Sequence, residues 1–403
     1  MSDIFFLPAW PPDLGTLPWF AVLLLSGAAA GEAVQRVLRL PRLLGWIAVG
    51  IALGPHASGA LSASELANMN GVLDVAIGTV LFELGQRVDL SWLRRNPWLL
   101  GTSILESGLS FGAMYFVLVA LGAPALIAMV AAAIGIATAP AVVLTVTRDL
   151  RAQGQVSERV LLLTALNSTY AFITISMLFA WLAQEYTGGW QAVAGHPLYL
   201  IFGSVALAAA LAAVTLPLLR ALGRRAEAQF ICIVALVIVA VWLANALKLS
   251  NTLTLLGYGT LLRVFDRRRR LLPLDFGRVG RIFLILLFGI TAASLDLSLL
   301  PAGALAAVAY IAARFFGKAL GMSVLAGPSG LSQRRAALVS LSLTPMSGMA
   351  VIMVHQTAAH HPAFGPALAT IVISATVMLE LVGPLFAHFA ILRSGEGLDG
   401  GRT

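Results

Sequence analysis

Of 403 residues, 59% are hydrophobic and 11% charged, with a formal net charge of +8 at pH 7 and a mean hydropathy of +0.91. A soluble domain carries about 25% charged residues, so a water-soluble globule, a disordered chain and a charge-driven nucleic-acid binder are excluded. The single cysteine, Cys232, excludes a disulfide scaffold and stands in an apolar run, the setting of a buried spectator thiol. The composition is that of a polytopic membrane protein.

The first twenty residues hold Asp3 and Asp13 and no Lys or Arg, so no secretory signal is expected and the apolar run from Phe20 reads as a permanent span. Runs long enough to cross hydrocarbon, about 20 residues, predict thirteen spans. They lie near 17–36, 43–60, 71–88, 98–121, 124–147, 159–184, 198–220, 228–247, 251–265, 279–296, 302–326, 335–356 and 364–392. Alternate connections hold 23 of the 26 Lys and Arg residues, from Arg36, Arg39 and Arg42 through Arg267–Arg270 to Arg393 and Arg402. The opposite connections hold only Lys248, while Arg314 and Lys318 fall inside a span. Basic residues stay on the cytoplasmic side, so the pattern predicts an external N-terminus and a cytoplasmic C-terminus. The charge is a topology signal.

Thirteen spans divide into six, a linker and six of opposite orientation, the layout of an inverted repeat. The expected organisation is one membrane unit: a first repeat with linker helix over 17–220, a second repeat over 228–392 and a short tail over 393–403. Equivalent spans should then be interrupted at equivalent places. The fifth contains Ala137-Thr138-Ala139-Pro140, and the twelfth Leu343-Thr344-Pro345-Met346-Ser347-Gly348. Proline removes a backbone donor and clashes with the preceding turn, freeing polar backbone that survives at bilayer depth only against protein or a watered cavity. The sequence therefore predicts an all-α fold with crossed, discontinuous fifth and twelfth helices.

The stretches RLPRLLGWIAVGIALGPH (39–56), LFELGQRVDLSWLRR (81–95), IATAPAVVLTVTRDLRAQGQVSERVLLLTALNS (136–168), LFGITAASLDLSLL (287–300) and ELVGPL (380–385) resemble the monovalent cation:proton antiporter-2 family, the bacterial sodium/proton and potassium/proton exchangers. The resemblance implies a six-helix core holding the crossed helices, a dimerisation domain, a homodimer, elevator-like alternating access and a place in the bacterial plasma membrane. The exchanged partners would be a monovalent cation and the proton, with no cofactor, no enzyme activity and no nucleic acid. Where that family carries an acid on the sixth helix, this chain reads Asn167-Ser168, and the twelfth helix has Met346-Ser347-Gly348-Met349 without charge. Arg87 stands where an acid commonly follows the third-helix glycine. No Gly-rich phosphate loop follows the last span, so no soluble nucleotide-binding domain is expected.

An ionised side chain at mid-bilayer costs about 2.5–3.5 kcal/mol on insertion scales, so each one retained needs an explanation. Glu106 on the fourth span and Arg314 and Lys318 on the eleventh lie on counterpart helices and are expected to meet beside the crossing. Two readings stand for Glu106: proton carrier, or half of an ion pair neutralising half-helix ends. Glu83 on the third span either replaces the missing carboxylate or bonds a broken-helix amide. Glu380, before Gly383-Pro384 near the cytoplasmic end of the last span, reads as a structural cap or an interface residue, and Glu32 and Asp74 as structural. Thr138, Asn167, Ser168, Thr169, Thr344 and Ser347 supply neutral oxygens able to hold a desolvated alkali ion or to link helices. His56, His196, His355, His360 and His361 fall near the external face without a recognised metal spacing. Beside the antiporter reading stand a transporter-derived leak, sensor or scaffold without coupled exchange, and a transporter of another solute.

Overall fold

A computed structural model describes residues 16–187, 190–223, 225–266, 277–346, 348–360 and 362–397, with backbone only at 182–187, 190–194, 277–279, 348, 356, 359 and 360. Among the described residues all regular structure is helical. The helices are α1 (Thr16–Ala33), α2 (Leu43–Leu53), α3 (Ala63–Arg87), α4 (Leu90–Arg95), α5 (Pro97–Ala120), α6 (Ala125–Ile136), α7 (Pro140–Asp149), α8 (Gln155–Thr187), α9 (Trp190–Leu222), α10 (Ala226–Ala246), α11 (Asn251–Phe265), α12 (Gly277–Ala293), α13 (Leu300–Val324), α14 (Gln333–Ser342), α15 (Gly348–His360) and α16 (Gly365–Arg393). A π-helical turn, Val34–Leu38, extends α1.

Local chemistry sets many of these boundaries. Ser62 and Glu65 form a reciprocal capping box at the start of α3. Asn96 caps α5, whose first residue is Pro97, a position where the missing donor costs nothing. Ser250 and Ser332 cap α11 and α14. Asp89 caps the short surface helix α4. The hydrogen bond from the Ser91 hydroxyl, with those from the Trp92 and Ser91 amides and the Arg263 charge, holds the Asp89 carboxyl below the usual carboxylate range.

Among the described residues, eight segments are long and apolar enough to cross a membrane, with α6 and α7 together forming one of them. The remaining passes in the thirteen-span layout are short, as α2 and α12 are, or polar, as α3, α11 and α14–α15 are. The buried positions of α3 include Thr79 and Glu83, and those of α11 include Thr252, Thr254 and Thr260. A helix that faces protein needs no unbroken apolar surface, which is why hydropathy marks these passes weakly.

The two halves pack through equivalent crossings. The α5 helix lies against α13, where a Cβ on Gly317 or Gly321 would meet the backbone of Ser110 or Glu106. The third and ninth passes, α3 and α11, touch at Gly85 and Gly259, where added Cβ atoms would fall on the carbonyl oxygens of Leu256 and Phe82. Exchanging the halves turns that pair into the second and tenth passes, α2 and α12, which meet at Gly50 against the Gly289 carbonyl. Small residues let backbones approach this closely where dispersion, rather than water release, drives helix association. The largest apolar cluster joins α5–α8 to α13–α16 and reaches α2, α3 and α12, while a second cluster fills the space between α3, α9, α10 and α11.

Candidate functional site

The fifth pass stops at Ile136 and restarts at Pro140, and the twelfth stops at Ser342 and restarts at Gly348. Residues 137–139 and 344–346 belong to no helix, and the two breaks bond to each other. The Ala139 amide donates to the Pro345 carbonyl at 3.0 Å, and the Thr138 hydroxyl donates to the Leu343 carbonyl at 3.2 Å. The prolines have different jobs. Pro140 opens α7 at a position that needs no donor, whereas Pro345 lies in the non-helical link itself.

Each break leaves carbonyls at the C-terminal, electronegative end of a half-helix. Arg314, fully buried on α13, serves both ends. Its Nε donates to Gly135 O at 2.7 Å, its Nη2 to Ala137 O at 2.7 Å and Leu343 O at 3.2 Å, and its Nη1 to Thr344 O at 2.6 Å. One turn along, Lys318 Nζ donates to Ile136 O at 3.3 Å and to Glu106 Oε2 at 2.9 Å. Tyr310, a turn before Arg314, donates to Ala131 O at 2.8 Å. The counterpart helices thus bring Glu106, Arg314 and Lys318 together beside the crossing. Glu106 keeps its other oxygen, Oε1, without a hydrogen-bond partner.

Neutral side chains gather on the first break. Ser107 donates to Asn167 Oδ1 at 3.0 Å, and Asn167 Nδ2 donates to Thr138 Oγ1 at 3.4 Å. The Ser168 hydroxyl lies 2.9 Å from Thr164 O and 3.4 Å from Thr138 O. Thr138, Asn167 and Ser168 therefore form one buried cluster, to which Thr344 adds its main-chain carbonyl through Arg314. The Thr344 hydroxyl bonds back to the Ser340 carbonyl of α14, and that of Thr169 bonds within α8. Ser347 lies outside the described residues, as do His361 and Arg267–Arg270.

Two acids are placed otherwise than their sequence positions suggest. Glu83 is buried and accepts from Arg148 at the end of α7, so it answers a side chain of the broken pass rather than an amide of the break. The partners are 65 residues apart, beyond any spacing rule. Glu380 is no terminal cap. It stands midway along α16, fully buried, with neither carboxylate oxygen bonded to a described residue. It lines a cavity of about 20 Å³ together with Pro140, Ala141, Met349, Thr291 and apolar residues of α3 and α12. The stretch ELVGPL marks Glu380 in the sequence but not this cavity, which depends on where four other helices end or cross.

A vestibule of about 590 Å³ opens on the arginine-poor side, lined by Asp74, His196, Asn245, Lys248 and Asn251 among others, and reaching Ile77, Leu81 and Met349 at its floor. Those three residues also wall the Glu380 cavity. At the periphery, Glu32 pairs with Arg36 and Arg42, and His56 lies 3.2 Å from Asp296. His355 is exposed and Cys232 half-buried. No cluster of metal-ligating side chains occurs among the described residues.

A sequence search against curated proteins returns no match. Among solved structures, the fold is similar to the sodium proton antiporter MjNhaP1 from Methanocaldococcus jannaschii, at pH 8, with TM-score 0.70 and 14% identity over 94% of this chain and 98% of that one. An electron-microscopy map of the same antiporter gives TM-score 0.68 and 14% identity, covering 96% and 98%. At that identity the likeness speaks for the fold. The family model "Sodium/hydrogen exchanger, transmembrane" matches residues 21–391. With crossed broken helices, counterpart charges at their ends and a family match over nearly the whole length, this chain belongs to the sodium/hydrogen exchanger family of membrane transporters.

Proposed function

We propose that the protein is a proton-coupled monovalent cation antiporter whose ion path runs through the crossing of the fifth and twelfth passes. The observation that carries this reading is the sealed crossing: unwound backbone from both halves, deep in the bundle, with Arg314 and Lys318 covering the exposed carbonyl ends. Unwound segments persist at such depth only where they line a protein-enclosed path. Thr138, Asn167 and Ser168 supply the neutral oxygens of the path, Thr344 and Ser347 extend it on the second break, and Glu106 with Lys318 keeps the half-helix ends electrically balanced. Glu106 and Glu83 are carboxylate candidates for the proton, each with one cationic partner in hand. The core α5–α8 with α13–α16 would travel as a body against α1–α3 and α9–α12, an elevator movement in a homodimer. The N-terminus lies outside and the C-terminus in the cytoplasm of a bacterial cell. This arrangement puts the arginine-rich connections inside and makes the vestibule outward-facing.

A second reading, the same fold without coupled exchange, draws on one observation. Asn167 and Ser168, at the position of the missing acid, have their hydrogen bonds taken by Ser107, Thr138 and Thr164. Purified protein in liposomes holding a pH-sensitive dye, under imposed Na⁺, K⁺ or Li⁺ gradients, separates the two. Antiport gives cation-dependent proton movement. Cation flux without proton movement identifies a leak, and neither flux a sensor or scaffold. Ser168→Asp is expected to raise exchange, since it returns a carboxylate to the crossing.

A further inference from the structure

The proposed antiport needs a carboxylate that can alternate between a proton and a cation, and both sequence candidates are already held by a cation of the protein. We propose that Glu380 of α16 is the exchanging carboxylate, binding a proton or one monovalent cation in the cavity between the two half-helix starts. The inference rests on the antiporter reading for its cargo, and on independent geometry for its place.

Glu380 is fully buried and neither oxygen has a partner among the described residues. Among the described residues it takes part in no ion pair. A carboxylate buried without compensation is disfavoured, and no described residue meets this one, so the group holds a proton or takes a cation from outside. The cavity it lines has room for about one water or one dehydrated alkali ion. Pro140 and Ala141, the first residues of α7, and Met349, the second of α15, stand in the wall. The carboxylate therefore faces the electropositive starts of both half-helices, while Arg314 and Lys318 occupy their partners' opposite ends. One turn past Glu380, Gly383 packs on Pro345 with no room for a Cβ, which fixes α16 against the second break.

The surrounding elements bring no competing charge to the cavity wall. The lining residues of α3 are Ile77, Val80 and Leu81, and those of α12 are Leu287, Phe288 and Thr291. Asp74 of α3 lies in the vestibule, and Glu83 pairs with Arg148 of α7. Asp149 of α7, Arg281 of α12 and Arg334 and Arg335 of α14 stand at helix ends, and His355 of α15 is exposed. Tyr310, Arg314 and Lys318 of α13 are bound to carbonyls and Glu106, and α2 and α6 carry no titratable side chain. Access comes through Ile77, Leu81 and Met349, which separate the cavity from the vestibule floor. When a cation enters, the carboxyl proton leaves to vestibule water, and the cavity holds one positive charge at a time.

Two measurements on the full-length protein test this. In the liposome assay, Glu380→Gln is expected to fall to the level of empty liposomes while eluting as wild type and melting no lower, since the amide removes an unpaired charge at constant shape. Separately, dicyclohexylcarbodiimide, which modifies buried protonated carboxyls, is expected to label Glu380 at acid pH, and Na⁺, K⁺ or Li⁺ to protect it, as read by peptide mass spectrometry. Wild-type exchange with an equally active Glu380→Gln variant overturns the inference and leaves the antiporter reading standing. Labelling that no cation protects, or none at Glu380, also overturns it. Cation-protected labelling in a protein that moves no protons keeps the site and removes the antiporter reading.

Discussion

Arg314 shows how much one side chain can hold together. Its planar fork spreads five N–H donors in fixed directions, and here they reach carbonyls of Gly135, Ala137, Leu343 and Thr344, two from each broken pass. Arg314→Lys keeps the charge but cannot span that set, and each buried carbonyl left unmet costs about 1–3 kcal/mol. The variant is expected to melt several degrees lower in detergent and to lose transport; a melting curve superimposable on wild type would remove the clamp role. Lys318→Met strands Glu106 in the core and should cost about 3–5 kcal/mol, whereas adding Glu106→Met to it should recover much of that loss, because an apolar pair of similar volume replaces a buried ion pair well. At the surface, Asp89 has a depressed carboxyl, so its contribution is complete above the ordinary carboxylate range and disappears as pH falls through the folded-state value. Asp89→Asn, which still caps α4, is expected to flatten the acid limb of melting temperature against pH. The residue types at the site were readable in the sequence: Glu106, Arg314 and Lys318 are conspicuous as charges within apolar runs. The Glu83–Arg148 pair was not, because its partners come from passes related only by tertiary packing.

At the scale of elements, the breaks were legible because proline and its neighbours interrupt helices by local sterics. The Thr-Pro segments at 137–140 and 344–346 fall in equivalent passes and are the places where the helices part. The same local logic gives the caps Ser62, Asn96, Ser250 and Ser332. What local rules leave open is which helices touch. The α3–α11 crossing depends on Gly85 and Gly259, each with the other helix's backbone where a Cβ would stand. Gly259→Ala should push the helices apart at a cost of about 1–3 kcal/mol. It should also weaken the wall of the vestibule, which α3 and α11 share. Expression and thermal stability measured beside Gly71→Ala of α3, where an added Cβ meets nothing within 4 Å, provide the comparison; equal losses in both would show that close approach is not the cause.

For the whole molecule, the vestibule and the small cavity below it would be one state of the proposed transport cycle. The vestibule reaches the floor residues Ile77, Leu81 and Met349 from the Lys248 side. If the proposed elevator movement operates, a cysteine at Ser176 on a Cys232→Ser background should react with an impermeant maleimide from that side. Its reactivity should fall when an inward-directed cation gradient favours the opposite state. Reactivity unchanged by any gradient would argue for a static vestibule. The α8 position is chosen because Ser176 is in the vestibule wall while its hydroxyl bonds only to the Phe172 carbonyl, so the substitution breaks no contact between helices.

The sequence by itself determined the membrane class, the order of the passes, the two interruptions and the repeat that relates them. These follow from hydropathy, charge alternation and the backbone chemistry of proline, all of which act over a few neighbouring residues. Only the tertiary structure decided which oxygens each buried charge would meet. Glu83 found Arg148 and Glu106 found Lys318, while Glu380, which opens the family-like stretch ELVGPL, was left facing a cavity with no partner among the described residues. Partnership inside a membrane protein is settled by distances between helices far apart in the chain, and no local rule encodes those distances.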